Sequence, residues 1–324
     1  MDWFERLTGF REQSYDSTRA RLEVQGEHLH IIGSPQAFCV GNLELPTLGE
    51  LRSRLGQQKR VGELQFCEIV GDACALHQAH ENEGALFQVA SQFNLLEMVG
   101  PHVSPEDGVT RYQSDHTQGP ACAIAAGAAT LYRNYLVPVA GQIGQTSACQ
   151  LDTLSDVTEY LAGQMGVSPS DLWTMRNGYL QADSRSVGRV GGWLETATEK
   201  DLDDVRSRLR IGLHWDVEVT HEPEVSGTLV NQAFCSAIPI SYSPVTSALW
   251  EPLARLILES AYEATFAAAA LNAARGKSTT LYLTRVGGGA FGNAAEWIDA
   301  ALQRSLCLFA DWPLRVMMVQ YGRS

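Results

Sequence analysis

Positive charge is scarce in this chain. Lysine and arginine number 24 against 37 aspartates and glutamates, a formal net charge of -13. A duplex-binding protein shows a basic footprint, and anionic membranes attract basic segments, so neither partner is expected. A small anionic ligand is compatible, because backbone N–H groups hold phosphates whatever the net charge. Paired cysteines are lacking too. The seven, Cys39, Cys67, Cys74, Cys122, Cys149, Cys235 and Cys307, are odd in number, form no Cys-x-x-Cys pair and share no zinc-type spacing with histidine. No metal is called for, and free thiols are expected, most of them buried in apolar runs. No Gly-x-Ser-x-Gly elbow supports serine catalysis. The most apolar helical stretch, Ala261–Ala274, carries Glu263 and is too short to span a bilayer. Met1–Arg6 does not read as a signal peptide, so a cytoplasmic setting is expected. Repeats and low-complexity tracts are absent as well.

With 45% hydrophobic residues in 324, the chain can fill one large core with decorations. Residues 1–60 read as an N-terminal appendage: strand-like Leu22–Val24, Leu29–Ile32 and Phe38–Val40, then a short helix capped by Thr47 with Glu50 three residues on. Leu64–Val70 and Ala85–Ala90 read as buried strands. A polar loop, Gly100–Gln118, leads into a helix that Gly119-Pro120 opens and that continues to Tyr135. Residues 141–210 read as an inserted helical subdomain with helices over Leu151–Gln164 and Asp201–Leu209 and turns at Asn177-Gly178 and Gly191-Gly192. Strands resume at Ile211–Thr220 and Asn231–Tyr242. A helix over Leu249–Ala274, a strand Thr279–Val286, a helix Ala294–Leu306 and a strand Arg315–Tyr321 follow. Alternating strands and helices predict a sheet covered on both faces.

Ligands in such sheets sit beyond the carboxyl ends of the strands, where several unusual segments fall. The run Gly287-Gly288-Gly289-Ala290-Phe291-Gly292-Asn293 lies between a strand and a helix. Glycines let the backbone approach a phosphate, and the next helix offers free N–H groups. A plain turn uses the same residues, no Gly-Lys-Ser/Thr follows to make a P-loop, and the run is not read as a Gly-x-Gly-x-x-Gly motif. Gly119-Pro120 with its small-residue helix is a second phosphate candidate, although close helix–sheet packing asks for the same residues. Asp107 and Asp115 share one loop with Glu106, Arg111, Tyr112 and His116. Paired carboxylates can cleave a glycosidic bond, yet loop carboxylates more often cap helices.

Taken in order, these segments resemble a macrodomain. Ile69-Val70-Gly71-Asp72-Ala73 looks like the strand whose aspartate reads an adenine amino group. Val89-Ala90-Ser91-Gln92-Phe93-Asn94 looks like an altered Asn-Ala-Ala-Asn strand end, with Gln92 and Asn94 remaining and Leu95-Leu96-Glu97-Met98 in place of the usual glycines. Gln118-Gly119-Pro120 and Gly287–Asn293 look like the two phosphate loops. Gln118–Ala123 and Tyr132-Arg133-Asn134-Tyr135 make the likeness closest to divergent MavL-type ADP-ribosylhydrolases. The resemblance implies a three-layer α/β/α fold with a mixed central sheet over residues 61–324, no cofactor, and ADP-ribose or an ADP-ribosylated protein as partner. It implies Asp107 and Asp115 as catalytic residues, in roles that stay unassigned between them. It also implies ADP-ribose contacts from Asp72, Ala73, Gln92, Asn94, Gln118, Gly119, Pro120, Gly287, Gly288, Gly289, Ala290, Phe291, Gly292 and Asn293. Removal of ADP-ribose from protein side chains, arginine-linked by family likeness, is the expected activity. A non-catalytic ADP-ribose reader and a hydrolase of a related nucleotide are the alternatives.

Overall fold

Apolar strands that bury both faces require helices on both sides. The computed structural model describes residues 1–58, 61–221 and 227–320. It opens with α1 (Trp3–Thr8) and α2 (Tyr15–Arg19), followed by a three-stranded antiparallel sheet of β1 (Leu22–Gln25), β2 (His28–Ile31) and β3 (Ala37–Cys39). β4 (Asn42–Glu44) and α3 (Leu48–Leu55) come next. Thr47 and Glu50 cap α3 reciprocally, as their spacing predicts. Then follow β5 (Gln65–Val70), α4 (Ala73–Gln78), β6 (Leu86–Ala90), α5 (Gln118–Ala125) and α6 (Gly127–Leu131). Two hairpins, β7 (Pro138–Val139) with β8 (Gln142–Ile143) and β9 (Thr174–Arg176) with β10 (Tyr179–Gln181), flank α7 (Ser155–Met165). α8 (Ser184–Thr196), α9 (Glu199–Arg206), β11 (Gly212–Glu218), β12 (Leu229–Cys235), α10 (Ser247–Ala274), β13 (Thr280–Leu283), α11 (Ala295–Leu308) and β14 (Arg315–Gln320) complete the order.

The central sheet runs β4-β11-β12-β6-β13-β14-β5. The strands from β12 to β5 are parallel, and β11 is antiparallel to both its neighbours. Side chains alternate between the faces. Leu86, Ala233, Leu281, Leu283, Val316 and Met318 pack into the core formed with α10 and α11, while Phe87, Val89, Phe234, Tyr282 and Met317 sit under the helices of the other face. The three-layer α/β/α fold with a mixed sheet is therefore present. Glu263 is the charged residue buried in α10, and it accepts bonds from Arg52 of α3 (2.6 Å) and Arg304 of α11, so one carboxylate ties three helices together.

Several expectations need correction. The run Leu64–Val70 is an edge strand rather than a buried one: Phe66 is 39% exposed and Val70 73%. The N-terminal segment reaches the main sheet through β4, which pairs with β11, and its α3 packs on α10. The helix expected from Gly119 to Tyr135 breaks at Ala126. There the Ala125 carbonyl accepts from Thr220 N–H (2.8 Å) and the Thr220 hydroxyl accepts from Gly127 N–H (2.8 Å), so the chain after β11 intrudes on the helical ladder. It resumes as α6 and a π-helical turn over Tyr132–Leu136. Gly191-Gly192 is helical, inside α8, whereas Asn177-Gly178 is the expected turn, with φ of +49° and +76°. The strand expected to reach Tyr242 ends at Cys235, and Tyr321 lies outside the described residues. All seven thiols are free, but only Cys122 and Cys235 are fully buried.

Candidate ligand site

A cavity of about 520 Å³ opens beyond the carboxyl ends of β6, β12 and β13. That is where parallel sheets offer a ligand site, and the size suits a small molecule. Its first wall is the start of α5. Gln118 imitates a strand there: Oε1 accepts from Ala90 N–H (3.0 Å) and Nε2 donates to the Gln88 carbonyl (2.8 Å). These bonds press Gly119 against the end of β6, where a Cβ would stand 2.1 Å from the Ala90 carbonyl oxygen. Only glycine fits, and the first turn of the helix is thereby held at the cavity.

The second wall is the glycine turn after β13. Gly287 and Gly292 have φ of +76° and +73°. Asn293 pins the turn, donating through Nδ2 to the Ile238 carbonyl (2.9 Å) and the Gly287 carbonyl (3.2 Å). Gly287, Gly289, Ala290 and Phe291 line the cavity, while Gly288, Gly292 and Asn293 stand outside that lining. One sequence expectation is corrected here: Gly287, Gly289 and Gly292 do keep the Gly-x-Gly-x-x-Gly spacing, between β13 and α11.

The carboxylates separate. Asp115 lines the cavity, its Oδ1 accepting from Thr117 N–H (2.9 Å) and hydroxyl (2.7 Å). Asp107 is exposed and not among the lining residues, because its Oδ2 is taken up by Ser104 N–H (2.8 Å) and hydroxyl (3.1 Å). Gln92 lines the cavity, though its Oε1 accepts from Met98 N–H (2.7 Å). Asn94 is fully buried away from it. Its Nδ2 donates to Gln150, its Oδ1 accepts from Leu96 N–H, and Gly178 sits so close that a Cβ there would stand 2.6 Å from Asn94 Oδ1. Asp72 caps α4 through Ala75 N–H (2.9 Å) at the end of β5, two strands beyond β13, and neither it nor Ala73 lines the cavity. Pro120 does.

Glu97, Tyr179, Tyr242 and Arg285 also line the cavity and were not among the site residues expected from the sequence. Tyr179, Tyr242 and Phe291 form an aromatic cluster with ring centroids 5.0–5.9 Å apart. Tyr179 belongs to β10, so the 141–210 segment builds part of the site. Burial pushes the Tyr179 hydroxyl up, and it donates to the Met98 carbonyl (2.5 Å). Arg285 stands at the rim, ion-paired with Asp299 (2.7 Å). Glu97 forms part of the floor, and burial pushes its carboxyl up to about 8. One charge inside the apolar stretch Phe93–Val99 was the visible clue. Among the described residues, no group of three His, Cys, Asp or Glu side chains could hold a metal, and no helix is long and apolar enough to cross a membrane.

The chain is thus an α/β protein with a cavity where its parallel strands give way to loops. No family model and no curated protein matches it. Among solved structures it is similar to poly(ADP-ribose) glycohydrolase from Deinococcus radiodurans in complex with ADP-ribose, at 11% identity and a TM-score of 0.44, over 97% of this chain and 93% of that one. It is also similar to poly(ADP-ribose) glycohydrolase from Thermomonospora curvata, at 10% identity and a TM-score of 0.45, over 96% and 92%. Likeness at this level decides neither ligand nor chemistry, which rest on the residues of the cavity.

Proposed function

We propose that the cavity binds ADP-ribose and that the protein hydrolyses ADP-ribose from modified protein side chains, arginine-linked ones in the first instance. One observation carries this reading: Asp115 faces the same cavity as two glycine-based backbone loops, the start of α5 and the turn at Gly287–Phe291. Such loops suit a diphosphate, because free N–H groups and the helix dipole offset its charge. The aromatic cluster offers flat apolar faces to a base or ribose. A carboxylate at the far ribose can orient water or steady positive charge at the anomeric carbon. Oδ2 of Asp115 is the oxygen left over for that work, since Oδ1 serves Thr117.

A non-catalytic reader is the second reading. It is favoured by the placing of Asp107 and Asn94, which are engaged outside the cavity. Calorimetric titration with ADP-ribose is expected to give micromolar binding, on the order of -8 kcal/mol. In a release assay on arginine-linked mono-ADP-ribosylated protein, Asp115→Ala is expected to lose about a hundredfold or more in rate. Binding without release by the wild type would leave a reader. Turnover of a free nucleotide without protein release would shift the substrate to a related ADP-ribose compound. Equal loss in Asp107→Ala would put that aspartate in the chemistry, and unchanged turnover would assign it to capping the loop.

A further inference from the structure

Glu97 is a buried carboxyl group that pairs with Arg133 at 3.7 Å but has no hydrogen bond to either of its oxygens among the described residues. It lies in the turn leaving β6, 3% exposed, on the floor of the cavity. Its backbone N–H donates to the Tyr112 hydroxyl (3.1 Å), yet neither side-chain oxygen has a hydrogen-bond partner among the described residues. Arg133 comes only to 3.7 Å, and its guanidinium is committed elsewhere: to the Leu95 carbonyl (3.2 Å), the Thr130 hydroxyl (3.0 Å) and the face of Phe234, 3.9 Å away. Gly119 leaves the room beside it, since a Cβ there would stand 3.1 Å from Glu97 Cγ. Folded proteins seldom keep a buried polar group unpaired unless a ligand or water completes it.

We propose that Glu97 is a specificity-determining residue of this cavity: protonated, it donates a hydrogen bond to an accepting oxygen of bound ADP-ribose. This rests on the ADP-ribose reading and adds a group that reading does not use. Burial keeps the proton on near neutral pH, against the pull of Arg133 and the nearby Tyr112 hydroxyl. The groups packed around it stay in one state near its titration. Burial pushes the Tyr112 hydroxyl and the Cys122 thiol well above their usual ranges. It also holds His214, 3.4 Å from Arg133, well below its own. Arg133 is drawn down by the same burial and remains a guanidinium. Asp115 and His116 face the cavity from the loop before α5.

The test is calorimetric titration of the full chain with ADP-ribose from about pH 6.5 to about pH 9.5. Wild-type affinity is expected to fall roughly tenfold by about pH 9, as the donated proton is lost. Glu97→Gln keeps a neutral donor. It is expected to bind within about threefold of wild type at neutral pH and to lose that slope. Glu97→Ala is expected to bind about tenfold more weakly throughout. A ligand-free readout runs beside it. Because the folded-state value lies above the ordinary carboxyl range, the thermal stability of the wild type relative to Glu97→Gln should fall as pH rises from about 4.5 to about 8 and then level off, a difference in which the opposite contributions of buried His77 and His214 cancel. A flat wild-type binding profile with intact affinity overturns the role of Glu97 alone, as does a Glu97→Gln variant as weak as Glu97→Ala. Absence of wild-type binding at every pH overturns the ADP-ribose reading and this inference with it.

Discussion

Replacing Gly119 by alanine puts the close approach at the head of α5 to a direct test. Alanine is the better helix former by about 1 kcal/mol, so propensity alone predicts a gain. The added Cβ, however, would stand 2.1 Å from the Ala90 carbonyl oxygen, a backbone atom of β6 that no rotamer change can move. The helix must retreat by roughly 1 Å, at an overpacking cost of about 1–3 kcal/mol. That retreat also stretches the two Gln118 bonds to β6, now 3.0 and 2.8 Å, each contributing about 1 kcal/mol net. The balance is a destabilisation of about 2–4 kcal/mol, or a fall in melting temperature of roughly 3–6 °C. Thermal unfolding followed by circular dichroism, paired with ADP-ribose titration, measures both the stability and the displaced cavity wall. A Gly119→Ala protein that melts with the wild type and binds with unchanged affinity would refute the argument.

Gly192 is the converse case. It lies inside α8 with nothing within 4 Å of a built Cβ, so Gly192→Ala should gain about 0.5–1 kcal/mol and raise the melting temperature by a degree or two. Glu263→Ala removes the shared acceptor of Arg52 and Arg304 from the body of α10 and should cost roughly 2–4 kcal/mol, read from the urea midpoint. The lower part of that range reflects the two arginines, which keep about a third of their surface in water.

Local signals in the sequence carried far. The capping pair Thr47 and Glu50, the Asn177-Gly178 turn and the glycine run after β13 each follow from short-range chemistry, and each stands where its pattern puts it. What escaped the sequence depends on long-range contacts. Leu64–Val70 reads as buried because it is apolar, but position in a sheet is settled by pairing order, and β5 falls at the edge. The break at Ala126 comes from Thr220, almost a hundred positions downstream by the bond's own separation of 93. Asn94 looks free to meet a ligand until the distant Asn177-Gly178 turn is seen resting on it. Tyr179 and Glu97 face the cavity only because loops far apart in the chain converge there.

That convergence bears on how the protein matures. The cavity draws its walls from Ala90 at one extreme to Phe291 at the other, with Tyr179 and Ala237 between. Pairings so distant in sequence form late and slowly during folding. The end of β6 and the start of α5 therefore wait for the turn after β13 before the cavity has its second wall. A fragment that stops before residue 284 would bring the start of α5 and not the turn at Gly287–Phe291, and would lack one wall of the cavity.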